Sequence, residues 1–174
     1  MATRKTSMFT LTERLTISGI NTAVSATIDL GSYVDVGDRQ ALQIHSVDFI
    51  FQGATAAQST TSSLQSGQTI VQVTDLNRGG LVFADDRSLV ASGVLSSDTD
   101  GYLSNATDLY PDNFGKGSDD GRYVVNDQLY ITGILDQAAY VADVNITVRV
   151  NASIVSLTAK DFMAIAIQST AADN

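Results

Sequence analysis

The stretch from Tyr140 to Ile154 constrains the fold more than any other part of the chain. Tyr140, Ala142, Val144, Ile146, Val148, Val150, Ala152 and Ile154 all fall on even positions, with Asn145, Thr147, Arg149, Asn151 and Ser153 between them. Successive strand side chains point to opposite faces, whereas a helix repeats every ~3.6 residues, so the alternation is a strand with one face in a core. A helix would scatter the same apolar groups around its circumference.

The period recurs upstream. Phe9, Leu11, Leu15 and Ile17 share one face, ahead of a turn at Gly19-Ile20-Asn21. Val24, Ala26, Ile28 and Leu30 form a second strand closed by Gly31, and Asp35-Val36-Gly37-Asp38 reads as the next turn. A third strand begins with Leu42 and Ile44 and continues with Val47, Phe49 and Phe51. Its phase slips by one residue, which predicts a β-bulge near His45-Ser46. Ile70, Val71 and Val73, then Leu81-Val82-Phe83, then Leu89 to Leu95, suggest three further strands, and Leu129 with Ile131 another.

Two segments break the pattern. Residues 53–68 (GATAAQSTTSSLQSGQ) are small and polar and read as a long mobile loop outside the core. From Ser96 to Gly121 the chain is acidic and glycine-rich, and Pro111, the only proline, suits the second position of a turn in Tyr110-Pro111-Asp112-Asn113. Near the end, Thr158 stands three residues before Asp161 and ahead of Phe162-Met163-Ala164-Ile165-Ala166-Ile167. That spacing resembles a capping box and predicts a short C-terminal helix, with a final strand as its rival.

About eight strands without a strand-helix-strand rhythm give an all-β fold, and eight strands suit a jelly-roll sandwich or barrel with two long loops. A length of 174 residues is that of one domain, 1–174, with a single core. The N-terminus has two early cations but no apolar run behind them, so no signal peptide is expected. Nor does any run approach the ~18 apolar residues of a spanning helix.

Composition closes off several chemistries. With no cysteine and one histidine, His45, neither a disulfide framework nor a zinc site can be assembled. A Ser–His–Asp triad would have to use His45, with Ser46 and Asp48 near in sequence, but neighbours on a strand face opposite ways, so His45 and Ser46 could meet only if the predicted bulge re-aimed one of them. Gly115-Lys116-Gly117-Ser118 lacks the spacing of a phosphate-cradling loop. Sequons at Asn105, Asn145 and Asn151 are what a Ser/Thr-rich chain generates by chance. Catalytic and cofactor-binding residues are therefore expected to be absent. The metal candidates are Asp98, Asp100, Asp119 and Asp120, because calcium accepts oxygen ligands alone, although Asp98-Thr99-Asp100-Gly101 does not follow EF-hand spacing.

The stretch Ile28-Asp29-Leu30-Gly31-Ser32-Tyr33-Val34-Asp35-Val36, leading into Ala41-Leu42-Gln43-Ile44-His45-Ser46-Val47-Asp48-Phe49, and the late strand Val144 to Leu157 followed by Thr158-Ala159-Lys160-Asp161-Phe162, carry a resemblance. In pattern they resemble the single jelly-roll capsid proteins of icosahedral viruses, especially the small major capsid proteins of tailless, membrane-containing prokaryotic viruses. The resemblance implies a homo-oligomer whose loops and barrel rims meet neighbouring capsomers, alone or with a second capsid protein. It implies residence in the virion after synthesis in the host cytoplasm, and offers no catalytic residues to carry over. Relatives that package RNA directly carry a long basic arm, whereas here only Arg4, Lys5 and Arg14 precede or enter the first strand of the β pattern. With a net charge of −9, the expected inner neighbour is a membrane or a protein layer, without strong direct nucleic-acid binding.

Two other functions fit the residues. One is a calcium-dependent carbohydrate-binding sandwich using the acidic loop with Tyr102, Tyr110 and Phe114. The other is a viral spike or fibre subunit, which shares the Ser/Thr/Gly-rich β composition.

Overall fold

Alternation of apolar and polar residues drives nearly every element of the computed structural model, which describes residues 2–58, 64–108, 110–111, 117–118 and 121–170. In chain order the strands are β1 (Thr3–Arg4), β2 (Phe9–Ile17), β3 (Val24–Asp29), β4 (Gln40–Gln52), β5 (Gly67–Thr74) and β6 (Leu89–Ser97). They continue as β7 (Leu103–Thr107), β8 (Gly117–Ser118), β9 (Gly121–Val124), β10 (Gln128–Gln137) and β11 (Val144–Ser156), followed by helix α1 (Ala159–Thr170). One sheet runs β1-β11-β4-β9-β8, with β2 also on β11, and the other runs β3-β10-β5-β6-β7.

The pairing defines the topology. β2 pairs with β11, β3 with β10, β4 with β9 and β5 with β6, every pair antiparallel. The chain is thus an antiparallel ribbon of four strand pairs, and successive pairs fall alternately in the two sheets. That winding, β2-β11-β4-β9 facing β3-β10-β5-β6, is a jelly roll. β1, β7 and β8 are short additions to it.

Between the sheets lies the main core, built from the inward residues of the alternating runs: Leu15 and Ile17, Leu42, Ile44 and Val47, Val71 and Val73, Leu129, Ile131 and Leu135, and Val144 through Ala152 at even positions. The sheets approach so closely at Gly133 that a Cβ there would stand 2.6 Å from Leu15 Cδ2. A smaller core lies at one end of the first sheet, where α1 lays Phe162 and Ile165 over Ala41, Val125, Val155 and Leu157. Thr158 caps that helix as its spacing predicts, its Oγ1 accepting the Asp161 N–H at 3.2 Å.

The predicted bulge is present. Asn151 faces Ser46 and Ala152 faces Ile44, so His45 is the extra residue on β4. Beside it, Gly121 has φ 141° and a Cβ there would stand 2.0 Å from the Ile44 carbonyl oxygen, so only glycine lets β9 approach the bulge.

Four expectations need correction. Leu81-Val82-Phe83 forms no strand, because the Gln72 side chain takes the backbone of Val82 in place of a neighbouring strand: Val82 N–H donates to Gln72 Oε1 at 2.7 Å and Gln72 Nε2 to the Val82 carbonyl at 2.8 Å. The 53–68 segment does reach the core, through Leu64, its one large apolar side chain, which is buried, and its last two residues already belong to β5. Tyr140 and Ala142 precede the last strand, since β11 starts at Val144 and Tyr140 and Val141 are exposed. The acidic segment contains β7 and the short β8, and β9 begins at Gly121, where the loop was expected to end. The centre of that segment, with Asp112, Lys116, Asp119 and Asp120, lies outside the described residues.

Candidate functional site

The sequence directs attention to the acidic segment. Asp98 sits in the β6–β7 turn, where its Oδ1 accepts backbone N–H groups from Asp100 at 2.9 Å and Tyr102 at 2.8 Å. Gly101, at φ 83°, completes the turn, and its N–H donates to the Asp98 carbonyl at 3.3 Å. This is an Asx-type closure, the commonest local use of an aspartate at a chain reversal. Asp100 is exposed beside it, and the other two metal candidates, Asp119 and Asp120, fall outside the described residues. Among the described residues no group of three or more His, Cys, Asp or Glu side chains converges.

His45 meets a serine, but a different one from its sequence neighbour. Its Nε2 lies 2.9 Å from Ser153 Oγ and 3.1 Å from Arg4 Nη2, while Ser46 accepts a hydrogen bond from Asn151 Nδ2 at 2.8 Å. Ser153 has no solvent access. A hydroxyl that no substrate can reach is a structural partner, and the cluster ties β1 to the bulge on β4 through β11.

The most heavily built polar site was not foreseen. Arg122, on β9, is wholly buried, and its Nη2 contacts Asp75 Oδ2 at 2.7 Å. The same guanidinium donates to the carbonyls of Arg87, at 2.8 Å, and Leu89. Asn126 Nδ2 donates to the Asp75 carbonyl at 2.5 Å. An isolated buried charge would be prohibitively costly, so the pair and its carbonyls form one unit. Its inward alternation with Val124 is the signal the sequence offered, and a lone arginine at a core position masks it.

What the unit holds is the loop 75–88 that joins β5 to β6. Asp75 N–H donates to Ser88 O at 2.9 Å and closes its base. Arg78 pairs with Asp86 at 3.3 Å and donates through Nε to Ser88 Oγ at 3.1 Å. Ser88 returns its hydroxyl and backbone N–H to Asp86 Oδ1 at 2.6 and 2.7 Å. Burial alone would raise the Asp86 pKa, but the Ser88 hydrogen bonds and the Arg78 charge outweigh it and leave the carboxyl below its ordinary value. With Gln72 clamping Val82, the loop is braced along its length, and at its tip Phe83 is 87% exposed.

A polar cavity of about 270 Å³ opens beside Arg14, Thr16, Gln52, Asp143 and Asn145. Within its lining Thr16 Oγ1 donates to Asn145 Oδ1 at 2.7 Å and Asn145 Nδ2 to the Gly53 carbonyl at 2.8 Å, while Asp143 accepts from Tyr140, outside the lining, at 2.5 Å.

No protein-family model matches the chain, and no curated protein matches it. Similar solved structures include Trichodysplasia spinulosa-associated polyomavirus VP1 in complex with GM1 oligosaccharide, at 10% identity and a TM-score of 0.40, covering 87% of this chain and 95% of that one. The same virus's VP1 with sialylated precision glycooligomers is similar at 9% identity and a TM-score of 0.38, covering 87% and 96%.

Proposed function

We propose that the chain is a structural protein that assembles with copies of itself into an icosahedral virus capsid, using its loops and the rims of its jelly roll. The observation that carries this reading is the Phe83 loop. A buried ion pair, a side-chain clamp and a second ion pair hold a loop whose exposed Phe83 contributes nothing to its own core. An aromatic held rigid in solvent is what a protein-binding anchor needs, because ordering costs are already met before the partner arrives.

In this reading the acidic exterior faces a membrane or another protein layer inside the virion, with or without a second capsid protein in the lattice. Nucleic acid is held off by like charge. Light scattering on purified protein across a concentration series tests the proposal. Discrete large species that persist at 0.5 M salt, about where surface charge is screened within a few ångströms, support contacts that are mainly apolar. A monomer at every concentration overturns it.

A further inference from the structure

We infer that β7 is a second contact surface, and that its occupant is β7 of another copy, paired antiparallel about a two-fold axis. The inference rests on the assembly reading and specifies one of its interfaces.

β7 is an edge strand of the second sheet, paired among the described residues with β6 alone, and all five of its residues are exposed. Edge strands in stable monomers are blunted by proline, lysine, inward charge or a bulge. Leu103-Ser104-Asn105-Ala106-Thr107 has none of these, and its register with β6 is unbroken.

The pairing shows which backbone groups face outward. Rungs of an antiparallel ladder alternate between those that exchange hydrogen bonds and those that do not. Asp108 N–H donates to Ser92 O at 2.9 Å and Asp98 N–H to Tyr102 O at 3.1 Å, which makes the even-numbered rungs the bonded ones. Val94·Ala106 and Ser96·Ser104 therefore bond within the sheet. Leu103, Asn105 and Thr107 turn their N–H and C=O groups to the open edge.

Those three positions complement themselves. With Asn105 on the two-fold axis, Leu103 opposes Thr107 of the second copy, so three rungs each exchange two hydrogen bonds. None of Leu103 to Thr107 carries a charge, and the Asp108 carboxylate is turned to β6, where it accepts from Ser92 N–H and Oγ–H at 3.1 and 2.7 Å, so the repulsion expected of a chain with charge −9 is absent from the paired rungs. Tyr102, the residue before β7, is 74% exposed, which leaves a large amphipathic side chain at that end of the edge, the residue type enriched at protein interfaces.

Two variants test the inference. Asn105→Pro removes one outward N–H at a site where an edge strand tolerates proline, so the circular dichroism spectrum should be retained while dimer dissociation rises at least tenfold. Asn105→Cys places a single thiol on the axis of a chain that has no other cysteine, so mild oxidation should yield a covalent dimer. Thr27→Cys, on the exposed face of β3 at the sheet's far edge, should not. If the wild type assembles but Asn105→Pro assembles equally well and Asn105→Cys gives no covalent dimer, the β7 contact is wrong and the assembly reading stands. A wild type that stays monomeric overturns both.

Discussion

Arg122 and Asp75 lie 47 residues apart in the chain, and their side chains meet at 2.7 Å with 0% and 1% of their surface exposed. The pair joins β9 of one sheet to the loop leaving β5 of the other, so it fixes the geometry of one end of the jelly roll. A buried ion pair adds little net stability over a well-packed apolar pair, but removing one partner strands the other charge.

Arg122→Met should therefore destabilise the fold by about 3–5 kcal/mol, with Asp75→Asn losing a comparable amount. Arg122→Lys should not rescue, since an ammonium cannot serve the carboxylate and two carbonyls in the same planar geometry. Urea unfolding monitored by circular dichroism measures all three. A change within about 0.5 kcal/mol would mean that the buried pair does not brace the loop.

Phe83→Ser should separate assembly from folding. The ring is almost wholly exposed, so unfolding free energy should move by no more than about 0.5 kcal/mol. Association should weaken at least tenfold, about 1.4 kcal/mol, as for loss of an anchor residue. Gln72→Ala, which frees the Val82 backbone, should weaken association as well without touching the ring. Sedimentation velocity reads both effects, and unaltered association in Phe83→Ser would remove the loop from the interface.

Asp86 gives the loop an acid dependence. Its folded pKa lies below the ordinary 3.8, so its contribution is complete above that value and is lost as pH falls through the lower, folded one. Wild-type stability should decline across that acidic window more than Asp86→Asn does, with the two curves parallel from pH about 5 upward. Denaturant titrations from pH 7 to the acid limit check this, and identical slopes would contradict it.

Asp98 separates a turn from a metal site. Asparagine keeps the Oδ1 acceptor for the Asp100 and Tyr102 amides and alanine does not, so Asp98→Asn should be nearly neutral and Asp98→Ala should cost about 0.5–1.5 kcal/mol. Neither loss should depend on calcium. A wild-type melting temperature that drops sharply on addition of EDTA, with Asp98→Asn as damaging as Asp98→Ala, would establish a calcium site instead.

Much of the scaffold was readable because a period of two survives wherever one face is buried. The β11 run from Val144, the strand of Phe9 and Ile17, and the slip at His45 all follow from that rule, and the cap at Thr158 follows from the three-residue spacing to Asp161 that marks a helix start. The rule fails where one side chain carries the work of a neighbour. Leu81-Val82-Phe83 looks like a strand because its apolar content is high, yet the groups a strand would pair are taken by Gln72. β9 is short and places Arg122 at an inward position, so its apolar pattern is broken by the residue that matters most. Strand order was invisible, since it depends on contacts such as β2 with β11 that close over more than a hundred residues. The candidate site was the least legible part, because exposure of Phe83 and β7 is a property of the assembled sheets.

Negative-stain electron microscopy of the purified wild-type protein, at a concentration where scattering shows its largest species, tests the central claim most directly. Closed, uniformly sized shells or capsomer rings, disrupted in Phe83→Ser, are the result expected of a jelly roll that meets its copies through its rims. A field of isolated monomers, or elongated trimers characteristic of a fibre subunit, would contradict it.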